Sequence, residues 1–235
     1  MWMLRILLVL ALVCSCISLS YAQEEDSIPF ETERAVEKNK FTGIGIGMVL
    51  PKTDLAPTYQ KPGSNYSASF HFNKRKRLNL SLFLNIGKVQ SEDREVAYLD
   101  QSEFQINSYA STVYQSLHVE PTFNLVKKEN WAIFIAQGFG FFSFRVYDQH
   151  HNDLSDQLNS RAPGESVSNF AVILPTSLGA YYFLPNDFGF HAKISLWNTQ
   201  TDYLDNISSF GNPDNNDNIL NFQLSVVKRF SKVIK

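Results

Sequence analysis

From Arg77 to Gly87 the chain reads RLNLSLFLNIG, with Leu78, Leu80, Leu82, Leu84 and Ile86 on alternate positions and Asn79, Ser81, Phe83 and Asn85 between them. A period of two predicts a strand with two unlike faces. The alternation recurs, and it predicts eight strands over 41–50, 65–73, 77–87, 111–126, 131–144, 169–184, 188–199 and 218–230. In the first, Ile44, Ile46, Met48 and Leu50 oppose Gly43, Gly45 and Gly47. In the fourth, Val113, Leu117, Val119, Phe123 and Leu125 oppose Tyr114, Ser116, His118, Glu120, Thr122 and Asn124. Pro121 and Pro175 fall inside the fourth and sixth strands, where each removes a ladder donor and predicts a bulge.

The connections alternate in length. Segments 73–76, 127–130 and 185–187 are short, whereas 51–64, 89–110, 145–168 and 200–217 are long and polar. An even strand number with short turns at one end and long loops at the other is the pattern of outer-membrane barrels. The expected fold is therefore all-β: an eight-stranded antiparallel transmembrane β-barrel in the cell outer membrane, with short periplasmic turns and long extracellular loops. One strand face is Leu, Ile, Val and Phe. The other is Gly, Ser, Asn, Thr and His, with Glu120, Lys193 and Arg229 among them. Such a small, weakly charged face suits the interior of an eight-stranded barrel, which is just wide enough to be filled by side chains. The competing architecture, a soluble barrel of the lipocalin sort, would bury the leucines and turn the glycines and serines to water. Tyr66, Trp131 and Tyr182, near strand ends, are candidates for interfacial girdles.

The N-terminus reads differently. Residues 1–22 carry one positive charge (Arg5), an apolar core over 6–13 and the ending Ser20-Tyr21-Ala22, which together predict a secretory signal. The rival reading takes Val13–Cys16 as a lipoprotein box with Cys16 lipidated. Both cysteines, Cys14 and Cys16, lie inside the signal, so the mature chain is expected to fold without disulfides. Residues 23–40 are charged and aperiodic and are expected to form a periplasmic tail, followed by the barrel over 41–230 and a short tail over 231–235. The charge balance, 21 basic against 23 acidic residues, argues against a nucleic-acid partner. Lipid of the outer membrane and protein partners in the periplasm or outer membrane are the expected contacts.

Candidate chemistry is sparse. Ser116, His118 and Glu120 are of the types that outer-membrane hydrolases use. At alternate positions of one strand, however, successive members stand about 6.8 Å apart, and a nucleophile needs hydrogen-bond contact with its base. The expected role is a polar lumen network of His118, Glu120, Lys193 and Arg229, in which Glu120 pairs with Lys193 or Arg229. His150 and His151, with Asp148, Asp153 and Asp156, are read as a solvated loop rather than a metal site, and the Asp/Asn-rich stretch 205–218 as turns rather than a calcium loop. No cofactor or metal is expected. Lys74, Arg75, Lys76 and Arg77 form a basic periplasmic turn that could meet acidic partners or headgroups.

Three stretches resemble a known family. LPTSLGAYY over 174–182, TDYLDNIS over 201–208 and HVEPTFN over 118–124 are similar to segments of PorG-like outer-membrane barrels of the Bacteroidota, a group associated with type IX secretion. The chain departs from that pattern in its first loop, where only Lys52-Thr53-Asp54-Leu55 matches a GDL-like turn, and at Asn206-Ile207, where Asp-Val is more usual. The resemblance implies a non-enzymatic component that anchors periplasmic secretion machinery to the outer membrane. Thr201, Asp202, Tyr203 and Asp205, where the seventh strand meets its outer loop, are expected to fix that loop through carboxylate and phenol hydrogen bonds. A small pore or transport barrel is the alternative function, and a lipid-modifying enzyme a more distant one.

Overall fold

The computed structural model describes residues 36–59, 61–73, 76–93, 107–155, 164, 168–208 and 216–233. The signal segment, most of the N-terminal tail, Lys74 and Arg75 lie outside them. Nine strands are present: β1 (Val36–Lys52), β2 (Gly63–Phe72), β3 (Leu78–Glu92), β4 (Tyr109–Lys127), β5 (Trp131–Gln137), β6 (Phe139–Tyr147), β7 (Phe170–Phe183), β8 (Phe188–Thr199) and β9 (Asn218–Val233). Each pairs antiparallel with its chain neighbour or the next, and β1 pairs with β9, so the sheet closes on itself. Strands β5 and β6 lie end to end between β4 and β7 and together make one stave, which gives a barrel of eight staves.

The break in that stave falls at Gly138, and both prolines explain it. The β3–β4 ladder runs on through Pro121 and the β7–β8 ladder through Pro175. The missing donors of both prolines therefore bear on the stave between them. There the Gly138 N–H donates to the Pro175 carbonyl at 2.6 Å. A Cβ on Gly138 would stand 2.9 Å from Glu120 Cγ and 3.2 Å from Pro175 Cδ, so the gap is also where the Glu120 side chain enters the lumen. The expected bulges appear as this one interruption, together with a register shift between Asn124 and Val126 in the β4–β5 pair. The outer strands are longer than the alternation suggested. β1 takes in the last five residues of the expected tail and β9 three of the expected C-terminal tail, because ladder hydrogen bonds continue where side chains have stopped alternating.

The question of faces is settled by exposure. Ile44 is 74% exposed, Ile46 65%, Leu84 52% and Leu224 56%, whereas Asn65, Glu120, His191 and Asn221 are fully buried. A water-soluble fold inverts this arrangement. The aliphatic rows form the outward belt that a spanning barrel offers to acyl chains. Trp131 and Tyr182 pair across β5 and β7 on that belt, near its short-turn end. Replacing Leu84, near the middle of the belt, with Arg is expected to destabilise the barrel by about 2–4 kcal/mol, measured by urea unfolding in lipid vesicles. A cost below ~1 kcal/mol would place that face outside hydrocarbon.

The interior has three tiers. Towards the periplasmic end Phe41, Ala132, Phe134, Ala136, Tyr181, Phe183 and Val227 form an apolar cluster. The middle is polar. Towards the outer end lies a second apolar cluster that includes Tyr114, Phe142, Phe144, Ile173, Trp197 and Ile219, and it continues upward into Leu55, Leu154, Leu204 and Ile207 of the loops. The expectation of a lumen that is polar throughout holds for the middle tier alone. Phe142, Phe144 and Val146 lie inward on β6, whereas its outward face carries Phe139 and Phe141 and then Ser143 and Arg145, so polarity does not tell the lumen face from the lipid face there.

Candidate functional site

β4 and β8, three staves apart in the ring, supply the centre of the middle tier. Inward alternation on β4 gives Ser116, His118, Glu120 and Thr122; on β8 it gives His191, Lys193 and Ser195. Lys193 Nζ donates to Glu120 Oε1 at 2.9 Å, and neither side chain has solvent exposure. His118 Nε2 lies 3.1 Å from the same oxygen, and the Ser177 hydroxyl donates to it at 3.2 Å. Ser177 and Ser195 share a hydrogen bond of 2.5 Å. The Lys193 ammonium also sits 3.4 Å from the centre of the Phe83 ring. The buried cation thus has a carboxylate on one side and a π face on the other, and both offset the cost of taking it out of water.

Two further histidines complete the tier. His71 is within hydrogen-bond distance of Ser81 (2.8 Å) and Ser69 (3.0 Å) and stacks on Phe41 at 4.2 Å. His191 lies parallel to Phe134 at 5.6 Å and 5.1 Å from His71. Among the described residues neither His191 nitrogen has a hydrogen-bond partner, nor does Glu120 Oε2. Of the residues expected in the lumen, the structure brings His118 and Lys193 together at one oxygen atom of Glu120. Arg229 does not join them. It lies at the periplasmic mouth, with its guanidinium 3.9 Å from the Phe183 ring and donating to the Glu129 carbonyl at 3.4 Å. Its strand neighbour Lys228 pairs with Phe188, near the 185–187 turn, and this depth in the wall keeps Arg229 from Glu120. Ser116 accepts from Asn85 at 3.2 Å, while His118 turns to Glu120, so the hydrolase trio is not assembled. His71, His191, Ser177 and Ser195 were missed by the sequence reading, because nothing in a period of two tells which strands face each other across a lumen.

The second ordered polar group caps the outer end. The Asp205 carboxylate accepts from Leu55 N (2.8 Å) in the first loop and from Ile207 N (3.1 Å) in its own. Asn107 donates to the Asp205 carbonyl at 2.7 Å, and the Thr112 hydroxyl donates to the Leu204 carbonyl. Asp217, which the sequence reading did not single out, accepts from Leu204 N at 2.8 Å. Its own N–H donates to the Thr201 carbonyl at 3.0 Å. Tyr203 packs against the outer apolar cluster, and Asn206 takes the left-handed conformation (φ 66) that Asn tolerates better than most residues. Asp202 is half-buried, and its charge acts on Asp217. Burial, reinforced by Asp54, raises the Asp205 pKa to about 6. Burial and the nearby Asp205, Asp202 and Asp54 charges push Asp217 well above the usual carboxylate range.

The remaining candidates are ordinary. Asp148 accepts from His150 N (2.7 Å) and Asn152 N (2.8 Å) and closes a turn. Asp156 lies outside the described residues, among which no group of three His, Cys, Asp or Glu side chains is placed to hold a metal. Lys76 and Arg77 are exposed on the periplasmic turn, and their carbonyls accept from Asn124.

A closed antiparallel ring of eight staves, with lipid-facing aliphatic rows and a side-chain-filled centre, defines an outer-membrane β-barrel. No protein-family model matches the chain, and no curated protein does. Solved structures similar to it are outer-membrane barrels. Neisserial surface protein A (NspA) aligns with a TM-score of 0.51 at 10% identity, over 81% of this chain and 97% of its own. Ail, the attachment invasion locus protein of Yersinia pestis, aligns at 0.49 and 13% over 83% of this chain and 99% of its own. OprG from Pseudomonas aeruginosa aligns at 0.47 and 9% over 84% and 98%. At such identities the likeness is one of fold.

Proposed function

We propose that the protein is a non-enzymatic outer-membrane anchor, a barrel that holds periplasmic partner proteins, as in a secretion machinery of the type IX kind. The observation that carries this reading is the filled lumen. Phe134 and Phe183, then Glu120, Lys193 and His191, then Phe142 and Trp197 occupy successive levels and are almost wholly buried. A cavity inside the periplasmic mouth, among His71, Thr122 and Tyr181, has a volume of about 10 Å³, room for about one water. A barrel packed in this way neither admits a substrate to His118 nor passes a solute. What it offers to partners is its rim. Lys40, Lys76, Arg77, Lys128 and Lys228 gather at the short-turn end, a basic collar suited to an acidic periplasmic protein or to headgroup phosphates. The resemblance of 118–124, 174–182 and 201–208 to PorG-like barrels supports the secretion role.

Reconstitution in planar bilayers tests the first half, and no stepwise conductance is expected. Affinity capture from outer membranes in mild detergent tests the second. Periplasmic secretion-ring proteins are expected to copurify, and the joint variant Lys76→Glu/Arg77→Glu to lose them. Conductance steps would make the protein a pore. Capture of no partner would remove the anchoring role. A change in lipid A acyl chains that depends on His118 or Ser116 would make it an enzyme.

A further inference from the structure

Near its extracellular edge, across β2 to β6, the outward belt turns from apolar to cationic. On one rung of the sheet, Ser64 of β2 pairs with Lys88 of β3, Lys88 with Val113 of β4, and Val113 with Arg145 of β6. Lys88 and Arg145 therefore project outward two strand spacings apart, about 10 Å between backbones, a span that two long cationic side chains can close around one anion. Between them runs an outward groove of about 500 Å³, floored by small residues (Ser64, Gly87, Ser143) and flanked by Tyr66 and Tyr147. The next outward carboxylate up β3, Glu92, is taken by Lys61, and among the described residues no acidic side chain forms a salt bridge with Lys88 or Arg145.

Height decides what such a groove meets. Lys88 stands ten residues above Leu78, the periplasmic start of β3. At a strand rise of about 3.4 Å and a tilt near 40°, that is about 26 Å, the height of the outward apolar band of such barrels. The row directly beneath the cations, Ile86, Gln115 and Ser143, is mixed, and the next outward row is apolar, with Leu84, Leu117 and Phe141 side by side across β3, β4 and β6. Arg145 lies two residues below the outer end of β6. Cations and hydroxyls at the level of headgroups, above acyl-chain rows, match an amphipathic anion of the outer leaflet. A free anion would have no use for the rows beneath.

We propose that the groove between β2 and β6 binds a phosphorylated glycolipid of the outer leaflet, with Lys88 and Arg145 holding its phosphate and Leu84, Leu117 and Phe141 seating its acyl chains. Charge-assisted contacts from two cations make the phosphate the specific element, and the rows beneath supply the rest of the affinity.

The test uses the purified barrel in detergent micelles, with bis-phosphorylated lipid A as the probe and native mass spectrometry as the readout. Lys88→Gln/Arg145→Gln is expected to weaken binding about tenfold or more, whereas Lys52→Gln, an equal charge loss on the outer end of β1, leaves it unchanged. Dephosphorylated lipid A is expected to bind the unaltered barrel as weakly as the phosphorylated lipid binds the double variant. This comparison decides the matter even if the double variant fails to fold. Equal affinity of the double variant, or equal binding of the dephosphorylated lipid, would overturn the proposal. So would displacement of lipid A by an equal concentration of inorganic phosphate, which would mark a free-anion site instead.

Discussion

Lys193→Met is expected to lower the stability of the barrel by about 3–5 kcal/mol, a magnitude that follows from leaving a buried partner charge uncompensated. The carboxylate of Glu120 accepts from Lys193 and Ser177 and contacts His118 through one oxygen, while the other has no partner among the described residues. Without Lys193 that charge stands in a side-chain-filled interior far from water. Glu120→Gln reverses the problem and strands the ammonium, for which the Phe83 ring alone is a weak substitute. The double variant Glu120→Gln/Lys193→Met removes both charges and is expected to cost much less than the two single losses added together. Urea unfolding in lipid vesicles, followed by tryptophan fluorescence, gives all three values. Additive losses, or single losses below ~1 kcal/mol, would mean that the two groups are not coupled in the assembled barrel.

Asp205→Ala is expected to loosen the outer cap by about 2–4 kcal/mol while the wall beneath keeps its stability. The substitution leaves two buried N–H donors, Leu55 and Ile207, without their acceptor. It also releases the contact between the first and fourth loops, and with it the seat of Leu55, Leu204 and Ile207 on the outer apolar cluster. Faster amide hydrogen exchange at Leu55 and Ile207, with unchanged protection in β3 and β8, is the measurement. The cap also carries a pH dependence of defined sign. The carboxyl of Asp205, raised to about 6, binds its proton more tightly folded than unfolded. Its contribution is therefore fully present below the ordinary carboxylate pKa of about 4 and is lost as pH rises through about 6. Asp217, shifted further in the same direction, extends the window upward. Protection at the cap, taken relative to the intrinsic base-catalysed exchange rate, should fall from pH 4 towards neutrality in the unaltered protein, and more shallowly in Asp205→Ala. Protection that rises over that range would reverse the assignment.

How much of this could be read beforehand differs from one part of the barrel to another. Where one face is aliphatic and the other small and polar, as at 78–86 and 113–125, the alternation located the strand and told its lipid face from its lumen face. Where the lumen face is itself apolar, as on β6, it placed a strand but hid what the lumen holds. The pairing of Glu120 with Lys193 could be anticipated as charge complementarity within a small interior, but the choice between Lys193 and Arg229 depended on depth, which register sets and composition does not. Pro121 and Pro175 signalled a disturbance. Its place in the neighbouring stave at Gly138 became visible only when the two strands were seen to flank the same gap. In the cap, Asp205 stood out within TDYLDNIS. Asp217 did not, because its partner is a backbone N–H thirteen residues away, and one Asp among the several Asp and Asn of 205–218 reads as turn chemistry.

The meeting of β1 with β9 also bears on how the molecule is made. Until residues 218–230 are in place, the first stave has an open edge, and unpaired backbone is not tolerated in hydrocarbon. The wall therefore cannot be finished piecemeal as the polypeptide emerges. A product lacking β9 would keep the edge of β1 exposed as a ready site for mispairing with another chain.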